Sequence, residues 1–277
     1  MLLTAAMLWG FAFVAQRHGM KFVGPFFFNG FRFLLGALAI LPFSGVKFSR
    51  SELRAGVLLG VVLFMAATLQ QIGIIYTTAG KAGFITGLYV IFVPILGVFA
   101  GDNPGIRTWL GVIAAIGGLY LLSIHGKVDI DLGDSLVLMC AVLFAIHVRM
   151  VGQYARQYSP FRLAFLQFAV CGILSLSGWG VIEKAETSGW QQALTAILYG
   201  GLVSVGIAYT LQFFAQRKAP AADCAVILSL EGAFAVLGGY LILGESMTLQ
   251  ALAGCLLMLT GAILAGLPER KQLSIAL

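Results

Sequence analysis

Charge is what this chain has least of. Only 10% of its 277 residues are Asp, Glu, Lys or Arg, against 60% hydrophobic residues and a mean hydropathy of +0.98. A soluble domain carries roughly 25% charge, so this chain cannot cover itself in water, and a soluble globular protein is excluded. The net charge of +6 is not a nucleic-acid signal, because the basic residues fall in short loops between apolar runs. Cysteine is also sparse. Cys140, Cys171, Cys224 and Cys255 lie inside apolar stretches without metal-ligand spacing, which argues against a disulfide, a metal site or a redox role. Catalytic signatures are missing too. There is no H-E-x-x-H, no G-x-x-x-x-G-K-[ST] and no G-x-S-x-G, since Ser204 lies in Gly201-x-x-Ser204-x-Gly206. No enzyme, no ATPase-driven pump and no cofactor is expected.

What is present is a series of long apolar runs. Ten can be drawn, near 2–19, 25–44, 55–75, 80–100, 106–124, 134–153, 160–182, 192–214, 220–243 and 248–267. Each is close to the roughly 20 residues that span a hydrocarbon core as helix. They are continuously apolar rather than alternating, which favours helices over a barrel. The expected fold is an all-α integral membrane protein of ten transmembrane helices joined by short loops. No basic residue precedes the first run, Arg17, His18 and Lys21 follow it, and no small-residue cleavage site ends it. It reads as a retained helix rather than a cleaved leader.

The chain repeats itself. Gly101-Asp102, Gly111 and Gly118 recur as Gly244-Glu245, Gly254 and Gly261 at a constant offset of 143, and Pro25-Phe26 and Phe33 recur as Pro160-Phe161 and Phe168 at 135. Two halves follow, residues 2–124 and 133–267, joined by His125–Gly133 with Asp129 and Asp131. Five spans per half force the halves into opposite orientations around a central cavity, the layout of a secondary transporter. With the N-terminus inside, the cytoplasmic loops hold Lys47, Arg50, Arg54, Arg107, Arg149, Arg156, Arg162, Arg217, Lys218, Arg270 and Lys271. The outer loops hold only Arg17, Lys21, Lys81, Lys127 and Lys184. The positive-inside rule therefore places both termini in the cytoplasm; the acids Asp129, Asp131, Asp134, Glu183 and Glu186 fall outside. Most of the 35 glycines read as helix-contact residues, because small side chains let helices pack closely in lipid.

Polar residues inside the spans carry the functional argument, since an ionisable group at a span centre costs about 2.5–3.5 kcal/mol. Glu231 sits near the middle of the ninth run, either as a substrate or proton contact or as a structural acid with a partner across the bundle. Arg32, in the second run, can bind a substrate carboxylate bidentately, form an ion pair with a residue such as Glu231, or reach headgroups. Its repeat counterpart is Gln167. Gln70 and Gln71 match Gln212 in the other half, and with Gln216 they suit either a polar cavity or plain interhelical hydrogen bonding. His147 is a core histidine or a proton relay. Trp9 is mid-span and is expected to line the cavity, whereas Phe26-Phe27-Phe28, Trp109 and Trp190 look like interfacial belts. Lys81 is expected to anchor at the interface and Asp223 to cap the ninth helix.

Taken in order, these residues resemble a known family. Trp9-Gly10, Arg32 after Pro25, Gln71-Ile72-Gly73-Ile74 leading to Thr77-Thr78-Ala79, Ala82-Gly83-Phe84, Pro94, Gly133-Asp134, Gln167, Gln212, Glu231, Gly244-Glu245, Gly254 and Gly261 are similar to the drug/metabolite transporter superfamily, specifically its EamA-like ten-helix members, over roughly residues 2 to 267. The resemblance implies export or exchange of small metabolites, often amino acids, across a bacterial inner membrane. It implies a basket of helices with Arg32, the glutamines and Glu231 near its cavity. Two departures stand out. Gly232 stands where a proline often follows the ninth-helix glutamate, which weakens the case for a helix break beside Glu231, and Asp102 stands in place of a glutamate. Beyond a metabolite and the lipid bilayer no partner is implied; nucleic acid is not, and a homodimer is not required. The competing class is a non-transporting scaffold or assembly subunit, which has no need for polar residues at mid-span.

Overall fold

The computed structural model describes residues 1–45, 47–123, 131–184, 187–244 and 248–267. His125, Lys127, Asp129, Glu186, Glu245, Arg270 and Lys271 lie outside the described residues. The elements are Leu2–Gly19 (α1), Pro25–Ser44 (α2), Arg50–Gly73 (α3), Ala79–Gly87 (α4), Tyr89–Phe99 (α5), Ile106–Ser123 (α6), Leu132–Tyr154 (α7), Pro160–Val181 (α8), Trp190–Leu198 (α9), a π-helical stretch Tyr199–Tyr209 running into Thr210–Gln216 (α10), Ala221–Leu228 (α11), Glu231–Leu243 (α12) and Leu249–Gly266 (α13). Among the described residues there is no strand. Eight helical stretches among the described residues are long and apolar enough to cross a membrane, and Ile106–Leu121 is a shorter apolar helix. α1 is helical throughout, but Gln16, Arg17 and His18 in its last turns dilute its apolar character. The outer faces present Leu38, Ile113, Ile173, Val181, Leu256 and Ile263, the apolar surface that lipid requires.

Local chemistry sets the helix ends. Pro25 and Pro160 open α2 and α8, where their missing N–H costs nothing. α3 begins five residues before the expected run because Ser49 and Glu52 form a reciprocal capping box. Asp131 and Asp134 do the same for α7. The first N–H groups of α2 are capped from a distance: Phe26 and Phe27 donate to the two carboxylate oxygens of Glu183, at 2.8 and 3.0 Å.

Two expected single helices are broken. α4 gives way to α5 at Leu88, and α11 to α12 at Ser229–Leu230. Both breaks tighten into short-range backbone bonds, Leu88 N–H to the Ile85 carbonyl and Leu230 N–H to that of Ile227. In the second, the Ser229 hydroxyl bonds back to the Val226 carbonyl at 2.8 Å, a local competitor of helix geometry. Gly232 in place of proline weakens the sequence case for a break here, and the break forms without a proline.

The glycines of the 143-residue offset meet each other. α6 and α13 run antiparallel in backbone contact. A Cβ on Gly111 would lie 2.9 Å from the Gly261 carbonyl oxygen, and one on Gly118 only 2.5 Å from that of Gly254. A methyl has no room there, and the atom in the way is backbone. Gly118→Ala is expected to lower stability by about 1–3 kcal/mol, read from the unfolding midpoint in detergent. An unchanged midpoint would mean that the seam separates freely.

The aromatic belt at the start of α2 is also corrected. Phe26, Phe27 and Phe28 are buried; Phe27 packs edge-on against Trp179 and Phe26 leans on Phe64. A helix start that packs against α3 and α8 buries its aromatics inside the protein, and composition alone does not distinguish that from a lipid interface.

Candidate functional site

The broken helices, α1 and the π-helical stretch converge on a central cavity of about 40 Å3. Trp9, Phe13 and Gln16 reach it from α1, Arg32 from α2, Gln70 from α3, Thr86 and Tyr89 from the first break, and Glu231 from the second. Phe144, His147 and Val148 come from α7, Ser204 and Tyr209 from the π stretch, and Gln212 from α10. Trp9 is fixed as a wall by a 3.1 Å bond from its indole N–H to the Ser204 carbonyl and by an edge-to-face contact with Tyr209, ring centres 4.7 Å apart. A π-helix is rare and is frequently found at functional sites.

Of the residues singled out in the sequence, Trp9, Arg32, Gln70, Gln212, Glu231 and His147 line this cavity. Gln71 and Gln167 are fully buried outside the lining. Gln167 stands behind His147, its Oε1 2.9 Å from the histidine Nε2. Gln70 donates to the Thr86 hydroxyl at 3.2 Å, and Gln216 to the Val148 carbonyl. Glu231 and Arg32 form no ion pair with each other. The Glu231 carboxyl instead neighbours the Tyr89 hydroxyl, within interaction range but not closed into a well-formed hydrogen bond.

Gln16 Oε1, Tyr89 Oη, His147 Nδ1, Gln212 Oε1 and Glu231 Oε1 are buried and have no hydrogen-bond partner among the described residues. Each unmet group of this kind costs about 1–3 kcal/mol. Five in one small cavity are a demand for polar occupants. About 40 Å3 accommodates two or three waters or a group of similar size.

Sequence reasoning missed Gln16, Thr86, Tyr89 and Tyr209. For Tyr89 a signal existed: the 143-residue offset carries Leu88 onto Glu231, so the first break and its neighbours are the repeat image of the acid.

The two ends of the bundle differ. At one, the ends of α5, α7, α10 and α13 surround an open vestibule of about 1390 Å3. Arg107, Arg149, Arg156 and Lys218 line it against Asp102 and Asp223. Arg149 pairs with Asp102 at 2.6 Å. Asp223 accepts from the Thr108 hydroxyl, so its expected capping role is replaced by a tie to α6. At the opposite end the helices are tied together. Arg17 donates to the Ile74 and Ile75 carbonyls at 2.9 and 2.8 Å, closing α1 on the end of α3. Lys81 pairs with Asp134, which also accepts from the Thr77 hydroxyl. The expected interfacial anchor is thus a bridge between α4 and α7. Among the described residues no group of three His, Cys, Asp or Glu side chains is placed to hold a metal.

The sequence matches the EamA-like transporter family over residues 1–124 and again over 131–267. An uncharacterized transporter of Archaeoglobus fulgidus is 33% identical over 267 residues, covering 96% of this chain and 84% of its own length. A WAT1-related chloroplastic protein of Arabidopsis thaliana is 26% identical over 97% of this chain and 69% of its own. A solved crystal structure superposes with a TM-score of 0.78 at 18% identity, covering 98% of this chain and 96% of that one, a likeness of fold. The chain is a multi-pass membrane transporter and belongs to the EamA-like transporter family.

Proposed function

We propose that this transporter moves small polar or amphipathic metabolites, amino acids among them, outward or in exchange across a bacterial inner membrane, by alternating access and without ATP. Ten crossings form two five-helix repeats, residues 2–124 and 133–267, of opposite orientation, with both termini in the cytoplasm. The observation that carries this reading is the cavity, with its unmet polar groups at the meeting point of two broken helices. Discontinuous helices at the repeat interface are where transporters of this design bind cargo.

Packing supports the repeat. If the two halves exchange places, the contacts of α1 with α12 become those of α7 with α5, and those of α3 with α7 become those of α1 with the π stretch. α2 with α8, and α6 with α13, map onto themselves. The two family matches divide the chain at the same place. One open vestibule and one tied end suit a single state of a two-state carrier, with the basic vestibule on the cytoplasmic side. A scaffold would gain nothing from five unmet polar groups in its core.

The test is flux in proteoliposomes. Counterflow of at least one amino acid or related metabolite is expected from a broad panel, and no flux for any member would reject the reading.

A further inference from the structure

Arg32 is a buried cation with no anion. It is only 4% exposed, and among the described residues no carboxylate pairs with it. Its Nε donates to Asn29 Oδ1 at 3.0 Å, and Asn29 is held in turn by its own amide bond to the Ala67 carbonyl at 3.1 Å. The faces of Phe28 and Phe33 lie 5.4 and 4.9 Å from the guanidinium carbon. Asn29 and the rings thus grip the inner part of the guanidinium, and its two terminal nitrogens make no hydrogen bond within the described residues. Aromatic faces return much less than an unpaired buried charge costs.

We propose that the cavity is a binding site for a small monovalent anion, held on the terminal nitrogens of Arg32 and serving as the counter-ion that the protein lacks. A planar fork fixed at Nε suits a carboxylate in a bidentate grip. The cavity admits a group of about that size and no larger. The vestibule adds a second, independent observation, since its four basic side chains outnumber its two acids, and an excess of one sign in a cleft concentrates ions of the other. Two sources share this chemistry, the carboxylate of a cargo molecule and a free halide. The cargo source rests on the transport reading above, whereas the anion site does not.

Binding is measured without flux, so the two ideas fail separately. A protein that transports nothing can still bind the anion, and a carrier of uncharged solutes can lack the site. Purified full-length protein in sodium isethionate is titrated at constant ionic strength with sodium formate, sodium acetate or sodium chloride, and the thermal unfolding midpoint is followed. Formate is expected to raise the midpoint saturably by several degrees, as about 2–4 °C per kcal/mol of linked binding implies. Arg32→Gln abolishes the rise. Asn29→Asp, which puts a carboxylate beside Nε, abolishes the formate response whatever its own midpoint, which keeps the proposal testable should Arg32→Gln fail to fold. A response to formate and acetate alone assigns the site to a cargo carboxylate; an equal response to chloride assigns it to a free halide. No saturable response to any of the three anions, or a response that survives in Arg32→Gln or Asn29→Asp, overturns the proposal.

Discussion

Asp134→Asn is expected to open the tied end of the bundle. Asp134 is 4% exposed and serves three partners at once: the Lys81 ammonium, the Thr77 hydroxyl and the backbone N–H of Asp131. Losing one partner of a buried pair costs about 3–5 kcal/mol when the charge left behind stays dry. Lys81 is 39% exposed and rehydrates, so the loss is discounted to about 1–2 kcal/mol. A bias of that size shifts a two-state equilibrium by about tenfold. The reporter is Gln16→Cys, on a background from which the four native cysteines have been removed. Gln16 lines the cavity one residue before Arg17, on the tied side. Its labelling by a membrane-impermeant maleimide added from the Lys81 side is expected to rise about tenfold in Asp134→Asn. Arg17→Gln, which releases the Ile74 and Ile75 carbonyls, should act in the same direction. Labelling at the wild-type rate in both variants would remove these ties from the gating role.

Glu231→Gln is expected to flatten the pH dependence of transport. The carboxyl is buried, starts α12 at the second break and keeps one oxygen without a partner. If its proton takes part in the cycle, flux changes by up to about tenfold per pH unit along one limb, the limit for a single titrating group. Glutamine keeps the shape and cannot titrate. A profile unchanged by the substitution would leave Glu231 as a structural residue. Glu231→Leu separates the roles further. It takes the carboxyl out of the cavity, so flux is expected to fall, while the Tyr89 hydroxyl, already without a hydrogen-bond partner, loses none.

The class of the protein and the positions of its helices were legible in the sequence because continuous apolar runs and N-terminal prolines act locally. Pro25 and Pro160 mark helix starts on their own. The Ser49–Glu52 box was equally local and was passed over because it precedes the apolar run. The breaks were not legible. Neither Leu88 nor Leu230 is a helix breaker by type, and a serine such as Ser229, which bonds back to the Val226 carbonyl, is common inside unbroken helices. The site was half legible. Polar residues at mid-span were found because they are costly there, but whether a glutamine faces the cavity, as Gln70 does, or the bundle, as Gln71 does, is a matter of one residue in helix rotation. Lys81, Asp223 and the Phe26–Phe28 run took partners from distant segments, which no local pattern encodes.

The smallness of the central cavity bears on how affinity should be read. A space of about 40 Å3 cannot enclose a whole metabolite, so the proposed alternating access requires a wider cargo-binding state, reached from this one as a minor population. The measured dissociation constant is then the intrinsic one divided by that population: a competent state at about 1% weakens apparent affinity about a hundredfold. Substitutions far from any contact with cargo, at the tied end or along the α6–α13 seam, will change apparent affinity by altering how often the cavity is wide enough to be filled.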